Sequence, residues 1–499
     1  MGAALTQDTL DMVKGAIAAP NDDITKSYTV STGLTAYDLQ APAKNLYPVI
    51  TPLRNSIPRV GGGTGPATNW RAVTAITGSG FASMPWVPEG QRSGRMSVTV
   101  APKAANYVTI GEEDQMTFEA DSAAQGFEDV RASMTMRLLQ QTMIKEEIAI
   151  LGGNNSLTVS APGTPTLSAA GTGATLGAAT YVVYAVALTF EGYMQSSLAG
   201  GVATTKTITG ADGQTYTLNG GASNKSAASA GQAITLGQTL SASVTAVNGA
   251  VGYAWFVGTA GNEKLELITT INSATFATAL VGTGQAATAI TADYSKNALA
   301  FDGLLTAAFT PGSGAYVKVL PSGVAGTGST LTASGYGTVT EIDNMLQTMW
   351  DTSRISATAL YVNSQELRNI TKKCLSTSGN ASLLQYNNQA ADGKPYSLTA
   401  GGVIASYFNP YTPDGGRMIP VRIHPNLPPG TILGYADQLP LYYQSNNVSN
   451  VCEIKTRRDY YQIDWPQKTR AYETGVYSEQ VLAIYAAFSI GVITNIANG

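Results

Sequence analysis

The sequence predicts an α+β protein interrupted by an all-β sandwich, on three observations. An amphipathic stretch ending at Gly152-Gly153 repeats its apolar residues at helical spacing. Residues 157–297 hold four basic and five acidic residues among Thr, Ala, Ser and Gly, with short strand-like runs, the pattern of a separate β domain. From Ala298 onward helical and strand periodicities alternate again.

At 499 residues the chain is long enough for two or three cores. Charged residues make up 12% and the net charge is −4, which excludes a generally basic nucleic-acid-binding surface. The absence of an 18-residue apolar run argues against a membrane helix, and the first twenty residues lack a basic leader before an apolar core, so no secretory signal is expected. Cys374 and Cys452 are expected as reduced thiols.

Residues 1–66 read as an arm: a short helix over Leu5 to Ala18, then an extended stretch punctuated by Pro42, Pro48, Pro52 and Pro58 that should run over a surface. Residues 67–118 read as an extended loop. Trp70 to Ile76 opposes Met96 to Val100, and a Gly-rich tip between them carries Phe81, Met84 and Trp86 on a segment too thin to bury them; with Glu89, Arg92 and Arg95 these are the expected intersubunit contacts. Residues 119–156 hold the long helix, expected to start at a capping box from Ser122 to Gln125 beside Asp121 and to stop at Gly152-Gly153 after roughly 30 residues, about 45 Å. Its apolar stripes run Phe127, Val130, Met134, Leu138 and Met136, Leu139, Met143, Ile150. Within 157–297 the main strands are Tyr181 to Thr189 and Tyr253 to Val257, with Trp255 in the core, and Gly210 to Ala230 is expected as a polar loop. Beyond, Ile342, Met345, Leu346 and Met349 share a helical face, and Thr358 to Val362 is a strand leading into a helix from Ser364 to Cys374. The strand-rich end, Tyr460 to Ile493, is expected to pair along the long helix.

The sequence is poor in catalytic groups. His424 is the single histidine and has no Ser or Cys motif beside it, so it reads as structural. Neither a phosphate-binding loop nor a dinucleotide fingerprint occurs. Glu112-Glu113-Asp114 reads as a solvated turn rather than a cation site. Tyr442-Tyr443 and Tyr460-Tyr461 read as half-buried sheet residues rather than base-stacking platforms, and Lys455, Arg457 and Arg458 as a salt-bridged strand end. No catalytic, cofactor-binding or metal-ligating residue is expected.

The order of these parts resembles the HK97-type major capsid protein of tailed bacteriophages. The residues that carry the resemblance are Trp86-Val87-Pro88-Glu89-Gly90, the run Tyr107 to Phe118, Phe301-Asp302-Gly303-Leu304-Leu305, Tyr361-Val362-Asn363 and Gly491 to Ile496. The resemblance implies an N-terminal arm (1–66), an extended loop (67–118), a spine helix (119–156), a peripheral domain continued at 298–347 and closed by 442–499, and an axial domain at 348–441. The insertion at 157–297 would be immunoglobulin-like or fibronectin-like. The implied function is an icosahedral shell around double-stranded DNA in the virion, assembled in the host cytoplasm. Implied partners are other copies in hexamers and pentamers, scaffolding and portal proteins, a possible decoration protein, and DNA held without sequence preference. Some members cross-link through a loop lysine; residues 61–100 contain none, so no cross-link is expected. Two other readings stay open: an encapsulin-like compartment, and a carbohydrate- or receptor-binding surface protein.

Overall fold

The computed structural model describes residues 48–77, 86–87, 89–124, 129–210, 213–335, 337–375, 404–413, 415–440 and 450–499. The expected helix over Leu5 to Ala18, together with Phe81, Met84, Phe127 and Tyr442-Tyr443, lies outside them.

The described chain begins with a helical turn, α1 (Pro52–Ser56), and a short strand, β1 (Arg59–Val60). The proline-punctuated segment was expected to run over a surface, yet Leu53 and Ile57 are buried in the central core. Pro52 sits in the first turn of α1, where the missing amide donor costs nothing. Next come β2 (Ala67–Thr77), β3 (Ser97–Asn106) and β4 (Val108–Thr117). Among the described residues, strands β2 and β3 pair only with each other, as an antiparallel ribbon running from Ala67↔Asn106 to Thr77↔Ser97.

Two helices follow, α2 (Phe118–Ala124) and α3 (Val130–Gly152). The expected capping box does not start the long helix, since Ser122 lies within α2. Asp129 is the N-cap of α3, its carboxylate accepting the Ala132 amide at 3.0 Å. The 23 residues of α3 span about 35 Å. One stripe is buried, Met134, Leu138, Thr142, Glu146 and Ile150, whereas Met136 of the second expected stripe is exposed.

Residues after α3 form β5 (Thr166–Ala170), β6 (Ala179–Leu188), α4 (Phe190–Gln195), β7 (Thr205–Thr209), β8 (Thr215–Asn219), β9 (Ala222–Lys225), β10 (Gln232–Ile234), β11 (Thr239–Ser243), β12 (Gly252–Gly258), β13 (Lys264–Thr269) and β14 (Ser273–Phe276). The sheet β10-β6-β12-β13, with β9 also on β6, and the sheet β14-β11-β5 share one core in which Trp255 is fully buried. Its indole donates to Thr269 Oγ1 at 2.8 Å, which satisfies its one polar atom. The span expected as a polar loop contains β8 and β9; threonine-rich alternation in Thr215–Asn219 suits a solvated ribbon with β7.

The chain closes with α5 (Leu304–Phe309), β15 (Tyr316–Val319), α6 (Thr340–Ser353), β16 (Ala359–Val362), α7 (Ser364–Leu375), β17 (Ser406–Asn409), β18 (Arg417–Ile423), β19 (Ile432–Tyr435), β20 (Cys452–Asp464), β21 (Ala471–Ile484) and β22 (Ile490–Thr494). A six-stranded sheet in the order β15-β22-β19-β16-β18-β17 packs against α6 through Ile342, Met345, Leu346 and Met349. It joins strands from both sides of 348–441, so the boundaries expected at 348 and 441 do not separate sheets: Gly491 and Gly434 lie against Met345, and β22 fits between β15 and β19. A four-stranded sheet, β1-β20-β21-β4, carries α3 on Met116 and Val476. Thus β20 and β21 do lie along the long helix, while β22 leaves it. Glu112-Glu113-Asp114, expected in a turn, lies in β4, in register with Val476, Gly475 and Thr474.

Candidate functional site: a projecting ribbon and the buried junction beneath it

The outer part of β3 is exposed on both faces, whereas Trp70 near the base of the ribbon packs edge-on against Tyr485, ring centroids 5.4 Å apart. Val73 and Val100 face each other across the ribbon at 54% and 44% exposure, and Met96 and Trp86 reach 64% and 84%. Glu89, Arg92 and Arg95 are exposed beyond the ribbon. Such surface within one subunit marks a contact with something else.

At the base of the ribbon lies a set of buried charges that sequence reasoning missed. Glu146, on the buried stripe of α3, binds Arg54 Nε at 2.9 Å, Gln480 Nε2 at 2.8 Å, Arg59 Nη1 and the Tyr460 hydroxyl. Arg59 also reaches Asp459 at 2.5 Å and Gln480 Oε1 at 2.9 Å. Burial, then the Glu146 charge, pushes the Tyr460 phenol up to about 12, so it stays a donor to that carboxylate. Its neighbour Glu147 accepts the Leu53 and Arg54 amides at 2.9 and 2.7 Å. Thr51 provides no side-chain cap for α1, so a carboxylate from another helix does that work. Glu147 Oε1 also lies 2.7 Å from His424 Nε2. His424 Nδ1 accepts the Asn426 amide at 3.2 Å, which leaves the proton on Nε2 to be donated to Glu147. The lone histidine is therefore a buried structural tie between α3 and the end of β18.

Adjacent carboxylates on α3 thus fasten the segment before the ribbon (Leu53, Arg54, Arg59), the C-terminal strands (Tyr460, Gln480) and the six-stranded sheet (His424) to one helix. The signal present in the sequence was two consecutive acids inside an apolar helical stripe. Their partners lie 87 to 334 residues away and could not be read locally.

A second junction marks where the β domain enters and leaves. Asn297 N–H donates to Asn154 O at 2.8 Å and Gly303 N–H to Gly153 O at 2.8 Å, while Asp302 Oδ1 accepts the Asn155 and Ser156 amides. A Cβ on Gly152 would sit 2.4 Å from the Phe190 ring, and one on Gly303 would sit 2.7 Å from the Gly152 amide. These glycines permit the close crossing of two chain segments, beyond ending a helix. Glu191 of α4 takes the Asn154 amide, and its Oε2 is shut from solvent without a partner. Burial, reinforced by Asp302, raises its carboxyl to about 7. Asn272 and Asn495 tie the far side of the β domain to the six-stranded sheet by reciprocal hydrogen bonds of 2.7 and 2.9 Å.

The other residues considered for chemistry have structural partners. Lys455 pairs with Glu453 at 2.8 Å and Arg457 with Glu479 at 2.6 Å, while Arg458 lies over the Tyr461 ring. Both cysteines are reduced thiols; burial pushes Cys374 up to about 11 and Cys452 to about 12, far from a reactive thiolate.

No family model matches the sequence, and no curated protein matches it. Among solved structures the chain is similar to the capsid of a native GTA particle, at 9% identity over 94% of this chain and 98% of that chain, with a TM-score of 0.42. It is similar to the capsid of Myoviridae phage XM1 at 8% identity, 94% and 98% coverage and a TM-score of 0.40. The holo-SrpI encapsulin complex from Synechococcus elongatus PCC 7942 matches over 39% of this chain and 57% of that one, at 13% identity and a TM-score of 0.24. With TM-scores below 0.5, the weight rests on the geometry of the chain itself.

Proposed function

We propose that this chain is the major capsid protein of a tailed bacteriophage, self-assembling as hexamers and pentamers into the icosahedral shell around double-stranded DNA. The observation that carries the reading is the ribbon β2–β3. Among the described residues it has no partner strand beyond itself, it exposes Val73, Val98 and Val100 along one face, and the segment that leads into it is held by the Glu146–Glu147 junction. The order of elements supports it: ribbon, long helix, inserted β domain, then the six-stranded sheet and the strands that return under α3.

In this reading Trp86, Met96 and their neighbours lie over the next copy and lose solvent there, while Glu89, Arg92 and Arg95 set register. Phe81 and Met84 belong to the same contact. The six-stranded sheet faces the ring axis. The β domain is an outward decoration, and its entry and exit lie side by side, so it can be excised without parting the body of the subunit. The role is structural, located in the virion after assembly in the host cytoplasm. Scaffolding and portal proteins, and a possible decoration protein, would be partners, and the DNA would be confined without sequence-specific contacts.

Negative-stain electron microscopy with a light-scattering mass tests this. The purified chain should form closed shells bearing external knobs that vanish when residues 157–297 are deleted. A persistent monomer, with or without a scaffold, would overturn the reading in favour of a surface-binding β protein. Shells carrying a protein cargo and never DNA would favour a cellular compartment.

A further inference from the structure

The chain's charge is segregated around the ribbon. Residues 67–106 carry four basic residues, Arg71, Arg92, Arg95 and Lys103, against one acidic residue, Glu89. Residues 108–129 carry seven acidic residues and no basic one. None of the four ribbon cations forms an ion pair among the described residues. Five of the seven lie on β4, whose outer edge has no partner strand among the described residues, and on α2. Two of its carboxylates are answered locally, Glu112 by Lys145 and Glu119 by Arg470, while Glu113, Asp114 and Asp121 meet no cation among the described residues; Glu113 accepts only the Tyr477 hydroxyl.

A subunit cannot bring these two surfaces together by itself. Strand β3 leads into β4 through Tyr107 alone, and its ten residues carry the tip about 34 Å from that point. Strand β3 pairs with β2, and β4 with β21, so β3 does not fold back along its own acidic edge.

We infer that the acidic edge formed by β4 and α2 of one copy is the receiving surface for the basic ribbon of a second copy, with Arg92 and Arg95 opposite Glu113 and Asp114. This rests on the self-assembly reading and adds to it the face on which the ribbon lands and the force that sets its register. Charges on an edge strand disfavour the addition of an uncharged strand, because pairing would desolvate them without a counterion, and here they select a cationic one. Because the groups are exposed, the attraction weakens as the screening length falls from about 10 Å at 0.1 M salt to about 3 Å at 1 M.

The test is a charge swap read by light scattering at 0.1 M salt, with thermal melting of each variant to establish that it is folded. Arg92→Glu with Arg95→Glu, and separately Glu113→Lys with Asp114→Lys, should each abolish association. Mixing the two variants, or combining all four substitutions in one chain, should restore it. Folded reversal variants that associate as the parent does, or a folded combined chain and mixture that both stay monomeric, would overturn the inference. Trp86→Ala in parallel separates the two levels. If the parent associates and Trp86→Ala blocks it while the charge variants behave as the parent, only the receiving surface is wrong. A parent that never associates overturns the assembly reading as well.

Discussion

At the residue scale, Glu146 carries the buried junction through four side-chain partners. It is fully buried, yet two guanidiniums, a phenol and an amide converge on it. Removing its charge leaves Arg54 without a carboxylate partner and Arg59 with Asp459 alone, and the two arginines are only 15–19% exposed. Loss of one member of such a pair costs about 3–5 kcal/mol. Glu146→Gln should fall near the lower end, about 3 kcal/mol, because the arginines still reach water; urea denaturation of the assembly-incompetent subunit measures it, and a loss under about 1 kcal/mol would contradict this account of the junction. Glu191 makes the opposite prediction. Its carboxyl titrates near 7 in the folded chain against an ordinary value of 4.5, so the folded state holds the proton more tightly than the unfolded one. Its stabilising contribution is complete below about pH 4.5 and is lost as pH rises through 7. Glu191→Gln should therefore melt higher than the parent at pH 8 and converge with it at pH 5. A melting difference unchanged across that range would refute the buried-carboxyl assignment.

At the element scale, the ribbon and the long helix divide their tasks. The helix is rigid because one stripe is buried on β4 and β21 and its N-terminus is capped by Asp129. The ribbon contributes little to its own subunit: Trp86 at 84% exposure buries almost nothing there. Trp86→Ala should leave the subunit's melting temperature within about 1–2 °C of the parent, since an exposed substitution changes stability by less than about 0.5 kcal/mol. The same variant should fail to form shells. A large fall in melting temperature would mean that Trp86 belongs to the subunit's own fold. The paired strands of this ribbon were legible in the sequence because alternation in Met96 to Val100 has period two and the opposing run from Trp70 matches it. The start of the long helix was not. Ser122 and Gln125 have the capping-box spacing, but the carboxylate of Asp129 supplies the cap that α3 uses, and local spacing does not rank two competing caps.

At the scale of the whole molecule, the sequence by itself determined the α+β class, the strands around a buried Trp255, the long helix, and the apolar face of Ile342, Met345, Leu346 and Met349. Each is written in composition or in a periodicity that a few neighbouring residues carry. Tertiary structure decided what those elements meet. It placed β15 and β22 in one sheet with β16–β19 and so crossed the boundaries expected at 348 and 441. It turned Glu112-Glu113-Asp114 from a turn into an edge strand, and buried Glu146, Glu147 and His424 together. The physical reason is reach: a periodic stripe names the face that must leave water, whereas a buried carboxylate is tolerated only if counterions arrive from elsewhere, and here they come from segments up to 334 residues away.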